Sequence, residues 1–471
     1  MSTRAVDVRR STLRRVAFGL VAASLPIALL IAAEFAARAA GVGDEDQEEF
    51  ISIPGQPEYR GFNPAYARRY FHGFVPSVAP DVFLADKPER TLRIFALGGS
   101  STAGYPYMPY TSFPAQLRRK LDARFFDVRV EVVNLGMTAV NSYTLWDIRN
   151  AVLQQEPDAI LIYAGHNEYY GALGAGSTTY ALGNHVWLKR LLLYLKDSVL
   201  FRATDDLMSM GGGEDQEEGS RTLMSRLAGG KEIDLGGEVF GDGIAQFESN
   251  LSDVIETFRS AGVAVFLSTV SSNLRGQHPL SGDSTAASLF NRGAGLAAAG
   301  EMDAAREAFV AARDQDRIRF RAPTAVNDRI RAIAARHGAT LVDSEMRIRG
   351  ASKDGLEGDD LFVDHLHLTA AGYGLIADAF LEAMAGQLEY DGASIAPPRS
   401  GGPRLDPIDS SAADINIERL KSGFPFVDNH EDEARALTRL IRAKLTSGTK
   451  PDSIAMLMLM GRLSPPVALR L

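Results

Sequence analysis

Cysteine is absent from all 471 residues. Disulfides, a thiol nucleophile and a thiolate metal site are thereby excluded, whichever compartment the chain occupies. A surplus of positive charge is missing as well: 50 lysines and arginines against 59 acids leave a net −9, with the two signs mixed along most of the chain. Without a basic block, nucleic acid is not expected as a partner. Apolar residues are not scarce, since 45% are hydrophobic, enough to core one large domain with appendages or two ordinary domains.

Charge is missing altogether from one stretch. Val16 to Ala33, 18 residues, carries no ionisable side chain and follows Arg4, Arg9, Arg10, Arg14 and Arg15, with only Asp7 among them. About 20 apolar residues span a bilayer as a helix. The arginines before the run, and Asp44, Glu45, Asp46, Glu48 and Glu49 after it, predict a cytoplasmic N-terminus and an outward-facing remainder. We therefore expect a basic cytoplasmic segment at 1–15 and a single-pass anchor at 16–41 in a bacterial inner membrane, with the rest periplasmic. A cleaved signal peptide competes, because Ala37-Arg38-Ala39 has the small-x-small form of a cleavage site, but the run exceeds the usual apolar core of roughly 7 to 15 residues. A buried core helix is disfavoured by the five arginines.

Residues 42–90, rich in proline, glycine and aromatics, read as an irregular connector. Beyond them, apolar runs at Leu92–Leu97, Val128–Val133, Ala159–Tyr163, Val263–Val270 and Thr340–Val342 alternate with amphipathic segments. That pattern predicts a parallel sheet with helices on both faces, a three-layer α/β domain of flavodoxin-like, doubly wound type over 91–390. Two insertions interrupt it. One, at 171–240, has an amphipathic stretch at Trp187–Tyr194 and a Gly/Glu-rich segment at Gly211–Gly219. The other, at 288–314, spaces Leu289, Gly293, Leu296, Gly300, Ala305, Phe309 and Ala312 like one tetratricopeptide-type helical hairpin, expected to pack on the domain or to dock a partner. Over 391–471 a Pro/Gly/Ser-rich linker running to about Ala413 precedes helices at His430–Leu445 and Ser453–Met460, a second candidate surface for a protein partner.

In doubly wound sheets chemistry gathers at the carboxyl ends of strands. Three polar clusters fall there: Gly98-Gly99-Ser100-Ser101-Thr102, Asn134-Leu135-Gly136 and Gly165-His166-Asn167-Glu168. A serine hydroxyl needs a base, an acid to orient the base, and fixed donors for the developing oxyanion. Ser100 follows a strand in a glycine-rich turn. Asp364-His365-Leu366-His367 places an acid and an imidazole three residues apart, so that one loop can supply orienter and base. Taken alone, the first motif is also a plain turn and the second is common by chance. Ser101, His166 and His365 neighbour these positions and are expected to face elsewhere.

Together the blocks resemble those of the SGNH (GDSL-like) serine hydrolases. Gly98-Gly99-Ser100-Ser101-Thr102-Ala103-Gly104 is similar to the nucleophile block, Asn134-Leu135-Gly136-Met137-Thr138-Ala139 to the second, Gly165-His166-Asn167-Glu168 to the third, and Asp364 with His367 to the last. The resemblance, over Arg93–Met384, implies Ser100 as nucleophile, His367 as base and Asp364 as its orienter. It implies the Ser100 and Ala139 N–H groups and the Asn167 amide as oxyanion donors, supported by Gly99, Gly136, Gly165 and Glu168. No metal or organic cofactor is implied. Three positions depart from the pattern. Gly99 replaces an aspartate, Glu168 lengthens one, and Ala139 replaces a glycine, at a cost on the order of 1 kcal/mol if the turn needs positive φ.

The activity so implied is ester hydrolysis, with acyl groups on cell-envelope carbohydrate among the expected substrates. An O-acyltransferase would use the same triad with a sugar hydroxyl in place of water. A non-catalytic subunit of a membrane complex would keep only the fold. A phosphate- or nucleotide-binding reading of the Gly98–Ser101 loop fails for want of the lysine of a phosphate loop.

Overall fold

The computed structural model describes residues 18, 24–26, 28–42, 48–71, 76–107, 109–125, 127–177, 185–204, 231–390, 393–394, 407–421 and 430–459. The chain divides into two compact units, Met1–Glu48 with Arg190–Asp215, and Glu49–Lys189 with Gln216–Leu471. In the first, a helical stretch over 28–39 carries one acid, Glu34, whose carboxylate accepts from Ser198 Oγ and from the Val199 and Leu200 N–H groups at 2.8, 2.9 and 3.1 Å. It thereby satisfies the open N–H groups of the turn that begins there. Leu29, Leu30, Ile31 and Phe35 are exposed. Among the described residues no helix is long and apolar enough to cross a membrane. Eight of the 18 residues of the expected span, Val16–Ala33, lie outside the described residues, as does all of Gly211–Gly219.

The second unit is built on strands β4 (Thr91–Gly98), β5 (Arg129–Asn134), β6 (Ala159–Tyr163), β7 (Ala264–Ser268) and β8 (Thr340–Val342). All pair in parallel, in the order β5-β4-β6-β7-β8. This is the flavodoxin-like 2-1-3-4-5 arrangement, with the five strands within two residues of their expected bounds. Every residue of β4 and β6 is buried, as strands covered on both faces must be. On one face α2 (Phe113–Asp122) packs on α10 (Ala370–Met384), with Phe113 stacked on Phe380 at 5.1 Å. On the other lie α3 (Ser142–Leu153), α5 (Glu238–Ser260) and α8 (Thr324–His337). Right-handed crossovers place the helices this way.

The expected irregular connector is corrected by the structure. It forms an antiparallel sheet of β1 (Phe50–Ile53), β2 (Gln56–Phe62) and β3 (Val82–Leu84). The aromatics that suggested a loop are its core: Phe50 and Phe83 pack edge-on against Phe95 of β4, at 6.3 and 5.3 Å. Arg93 locks this sheet on, 1% exposed, donating to Glu131 at 2.7 Å and to the Leu84 carbonyl at 2.8 Å.

The second insertion is a hairpin of α6 (Ser284–Ala298) and α7 (Met302–Gln315), turning at Gly300 with φ +85°. Its Phe290, Ala305, Phe309 and Ala312 bury against Leu274 and Leu356 of the α/β domain. In the first insertion, α4 (Val186–Leu195) covers the amphipathic stretch. The tail holds α11 (Pro407–Lys421), α12 (His430–Thr446) and α13 (Lys450–Leu459). Here the expected linker to Ala413 is also corrected, because helix begins at Pro407, where proline at a helix start costs no hydrogen bond.

Candidate active site

Strand β4 ends at Gly98, and Ser100 opens a single turn, α1 (Ser100–Ala103), closed by Gly104 at φ +95°. The turn is clamped to the next strand end. Asn134, last residue of β5, donates to the Thr102 carbonyl at 2.9 Å and accepts from Gly136 N–H at 2.9 Å. Only glycine fits at 136, since a Cβ there would lie 2.1 Å from Ala103 N.

The Asp364–His367 loop approaches from the far end of the sequence. His367 Nε2 lies 2.8 Å from Ser100 Oγ, and His367 Nδ1 lies 2.6 Å from Asp364 Oδ2. The other carboxylate oxygen accepts from the Leu366 and His367 N–H groups at 2.8 and 2.7 Å, so the carboxylate is fixed before the imidazole engages it. Burial raises the Asp364 pKa, but the charges and hydrogen bonds of His367 and His365 outweigh burial and hold the carboxyl well below the usual range. Asn273, unremarked in the sequence, anchors the loop by donating to the Asp364 carbonyl at 3.1 Å and to the His365 carbonyl at 3.0 Å.

Beside Ser100 opens a cleft, continuous with solvent, whose walls include Gly99, Ser101, Val140, Leu145, His166 and Asn167. The Asn167 amide donates to the Val140 carbonyl at 3.1 Å. The structure thus brings Ser100, Asn167, Asp364 and His367 together. Ala139 does not line the cleft but precedes Val140, which does. Its φ is +60°, so the turn does demand the left-handed conformation that glycine adopts freely.

Glu168 sits behind this wall, 1% exposed. Its carboxylate accepts from Ser142 Oγ at 2.7 Å, Ser142 N–H at 3.2 Å and Gln246 Nε2 at 2.9 Å. It therefore caps α3 and ties the loop bearing Asn167 to two helices. Gly165 begins this loop at φ +153°, where a Cβ would meet Val326 at 2.8 Å.

The three neighbours expected to face elsewhere fare differently. Ser101 Oγ is buried without a hydrogen-bond partner among the described residues. His166 accepts from Ala322 N–H at 3.2 Å, and burial drives its pKa down to about 3. His365 does reach the site, with Nδ1 3.3 Å from Asp364 Oδ1, which the sequence reading missed. The signal for Tyr105 was also missed: five residues past Ser100 in a tyrosine-rich turn, its ring lies 4.7 Å from that of His367. Among the described residues no set of three or more histidine, aspartate or glutamate side chains is gathered as metal ligands.

Residues 96–375 match the model of the GDSL-like Lipase/Acylhydrolase family. No curated protein matches the chain. Solved structures similar to it include Axe2, an acetylxylan esterase from Geobacillus stearothermophilus, at 15% identity over 63% of this chain and 94% of that one, with a TM-score of 0.33. LAE5, an alpha/beta hydrolase enzyme from the metagenome of Lake Arreo, is similar at 18% identity over 63% and 96%, with a TM-score of 0.31. The acetyl xylan esterase AlAXEase is similar at 15% identity over 62% and 98%, with a TM-score of 0.33.

Proposed function

Because the chain belongs to the GDSL-like lipase/acylhydrolase family, we propose that it is a serine esterase that removes ester-linked acyl groups. The observation that carries this reading is the continuous relay from Ser100 Oγ through His367 to Asp364, at 2.8 and 2.6 Å. His367 Nε2 takes the Ser100 proton as Oγ attacks the acyl carbonyl, and Asp364 steadies the imidazolium. The Ser100 and Ala139 N–H groups and the Asn167 amide receive the oxyanion. Collapse of the tetrahedral intermediate expels the alcohol, which takes the proton from His367. Water, deprotonated by the same imidazole, then attacks the acyl-enzyme, and the proton returns to Ser100 as the acid leaves.

The N-terminal pattern of arginines, apolar run and acids supports tethering at 16–41 to a bacterial inner membrane, with the esterase facing the periplasm. That placement favours acyl esters of envelope carbohydrate as substrates. Labelling with a fluorophosphonate tests the assignment. Wild type and Ser101→Ala should label and Ser100→Ala should not. A folded wild type that does not label, or a Ser100→Ala variant that labels equally, would refute it.

A further inference from the structure

The matched residues end at 375, yet part of the wall around the base depends on chain well beyond them. Tyr105 covers the His367 ring at 4.7 Å and is held from two sides. Tyr373 of α10 donates its hydroxyl to the Tyr105 carbonyl at 2.5 Å. The Tyr105 hydroxyl in turn donates to the carbonyl of Asn416, in α11, at 2.7 Å. The Asn416 side-chain amide donates back to the Pro106 carbonyl at 3.2 Å. About two helical turns before Asn416, Asp409 is 0% exposed and accepts the Thr111 N–H at 2.5 Å. Backbone N–H bonds to a buried carboxylate are among the stronger ones available to a protein. The helix is itself braced, because Lys444 of α12 pairs with Asp414 at 2.7 Å and with Asp452 of α13 at 3.3 Å.

We propose that α11 is a positioning element of the active site, holding the turn Tyr105–Thr111 so that the Tyr105 ring stays against His367. The tail is then part of the working site rather than an appendage. The inference rests on the esterase reading for its kinetic readout but not for its structural one.

The test uses the full chain carrying Asp409→Ala, Asp409→Asn and Asn416→Ala. Asparagine at 409 retains an oxygen to accept the Thr111 N–H and should behave as wild type. We expect Asp409→Ala and Asn416→Ala to lower kcat on the order of tenfold, the scale set by small misplacements in a site, with KM within about twofold. Rates are taken per fluorophosphonate-titrated site, so unfolded protein does not count. Independently, the ring-proton resonances of His367 should move in both alanine variants, because the ring current of Tyr105 changes, and hold in Asp409→Asn. A lower melting temperature with unchanged kcat and unmoved His367 resonances would overturn the proposal. If wild type proves not to label, the esterase reading falls, and the His367 resonances alone decide: shifted in the alanine variants supports the tether, unmoved overturns it.

Discussion

Replacing Glu168 by glutamine should change how stability depends on pH, with a size that follows from where the carboxyl sits. Burial pushes its pKa up from 4.5 to about 7, against hydrogen bonds from Ser142 and Gln246 and the charge of Lys189, all of which lower it. Between those two pH values the folded chain keeps a proton that the unfolded chain has released. Unfolding free energy therefore falls as pH rises, the contribution being whole below about 4.5 and gone above about 7. At roughly 1.4 kcal/mol per decade, the wild type loses about 3 kcal/mol across this window. A carboxamide does not titrate, and its oxygen can still accept from Ser142. Lys189, whose pKa burial lowers to about 8, gives up its proton above the window and does not blur it. Urea unfolding of both proteins at several pH values from 4.5 to 7.5 gives the difference directly. The variant should gain on wild type by about 3 kcal/mol as pH rises across this range. Parallel pH profiles would refute the reasoning, since they would mean that Glu168 keeps the same charge in both states.

Four further outcomes are expected. Asp364→Asn should leave the fold intact and lower kcat about 10⁴-fold in steady-state assays, because the imidazole loses the partner that fixes its tautomer. Ala139→Gly relieves a residue at φ +60° and should raise stability by about 1 kcal/mol, read as a rise of roughly 2 °C in Tm, with kcat unchanged because the N–H remains. Phe309→Ala empties the centre of the hairpin contact and should cost about 3 to 5 kcal/mol by denaturant unfolding. Gly99→Asp restores the residue usual in the family, yet its Cβ would lie 2.9 Å from the Asn167 amide nitrogen. The amide can swing away at little cost in Tm, but kcat should fall about tenfold or more as an oxyanion donor is displaced.

The parallel sheet was legible because fully buried strands write themselves as near-continuous apolar runs, and Ala159–Tyr163, or Leu92–Leu97 with Arg93 its one polar residue, admits few other readings. The blocks around Ser100, Asn134, Asn167 and Asp364 were legible because each follows such a run, or closes the domain, in a set order. The antiparallel sheet at 50–84 was not. Its strands are short, one face is wet, and Pro, Gly and aromatics there look like loop until Phe50 and Phe83 are seen against Phe95. Tyr105 and α11 were hidden for a different reason. Their partners are some 300 residues apart, and the hydrogen bonds use the backbone carbonyls of Pro106 and Asn416, which carry no sequence signature.

The histidines show why proximity in sequence could not settle the choice of base. Asp364 lies between two imidazoles, His365 and His367, whose rings are 5.9 Å apart. Were both charged, their repulsion at an effective dielectric near 20 would be about 3 kcal/mol, opposing the proton transfer that the reaction requires. Burial prevents it. His365, 1% exposed, has its pKa lowered by desolvation against the pull of Asp364, so its neutral form is favoured. His166 is driven further down in the same way, to about 3, and its Nδ1 is occupied by the Ala322 N–H. Of the three, His367 alone joins a bond to Asp364 with a second nitrogen facing a serine hydroxyl. With both neighbouring imidazoles favoured in their neutral forms, Asp364 would be left to stabilise the single cation that the proposed mechanism forms at His367.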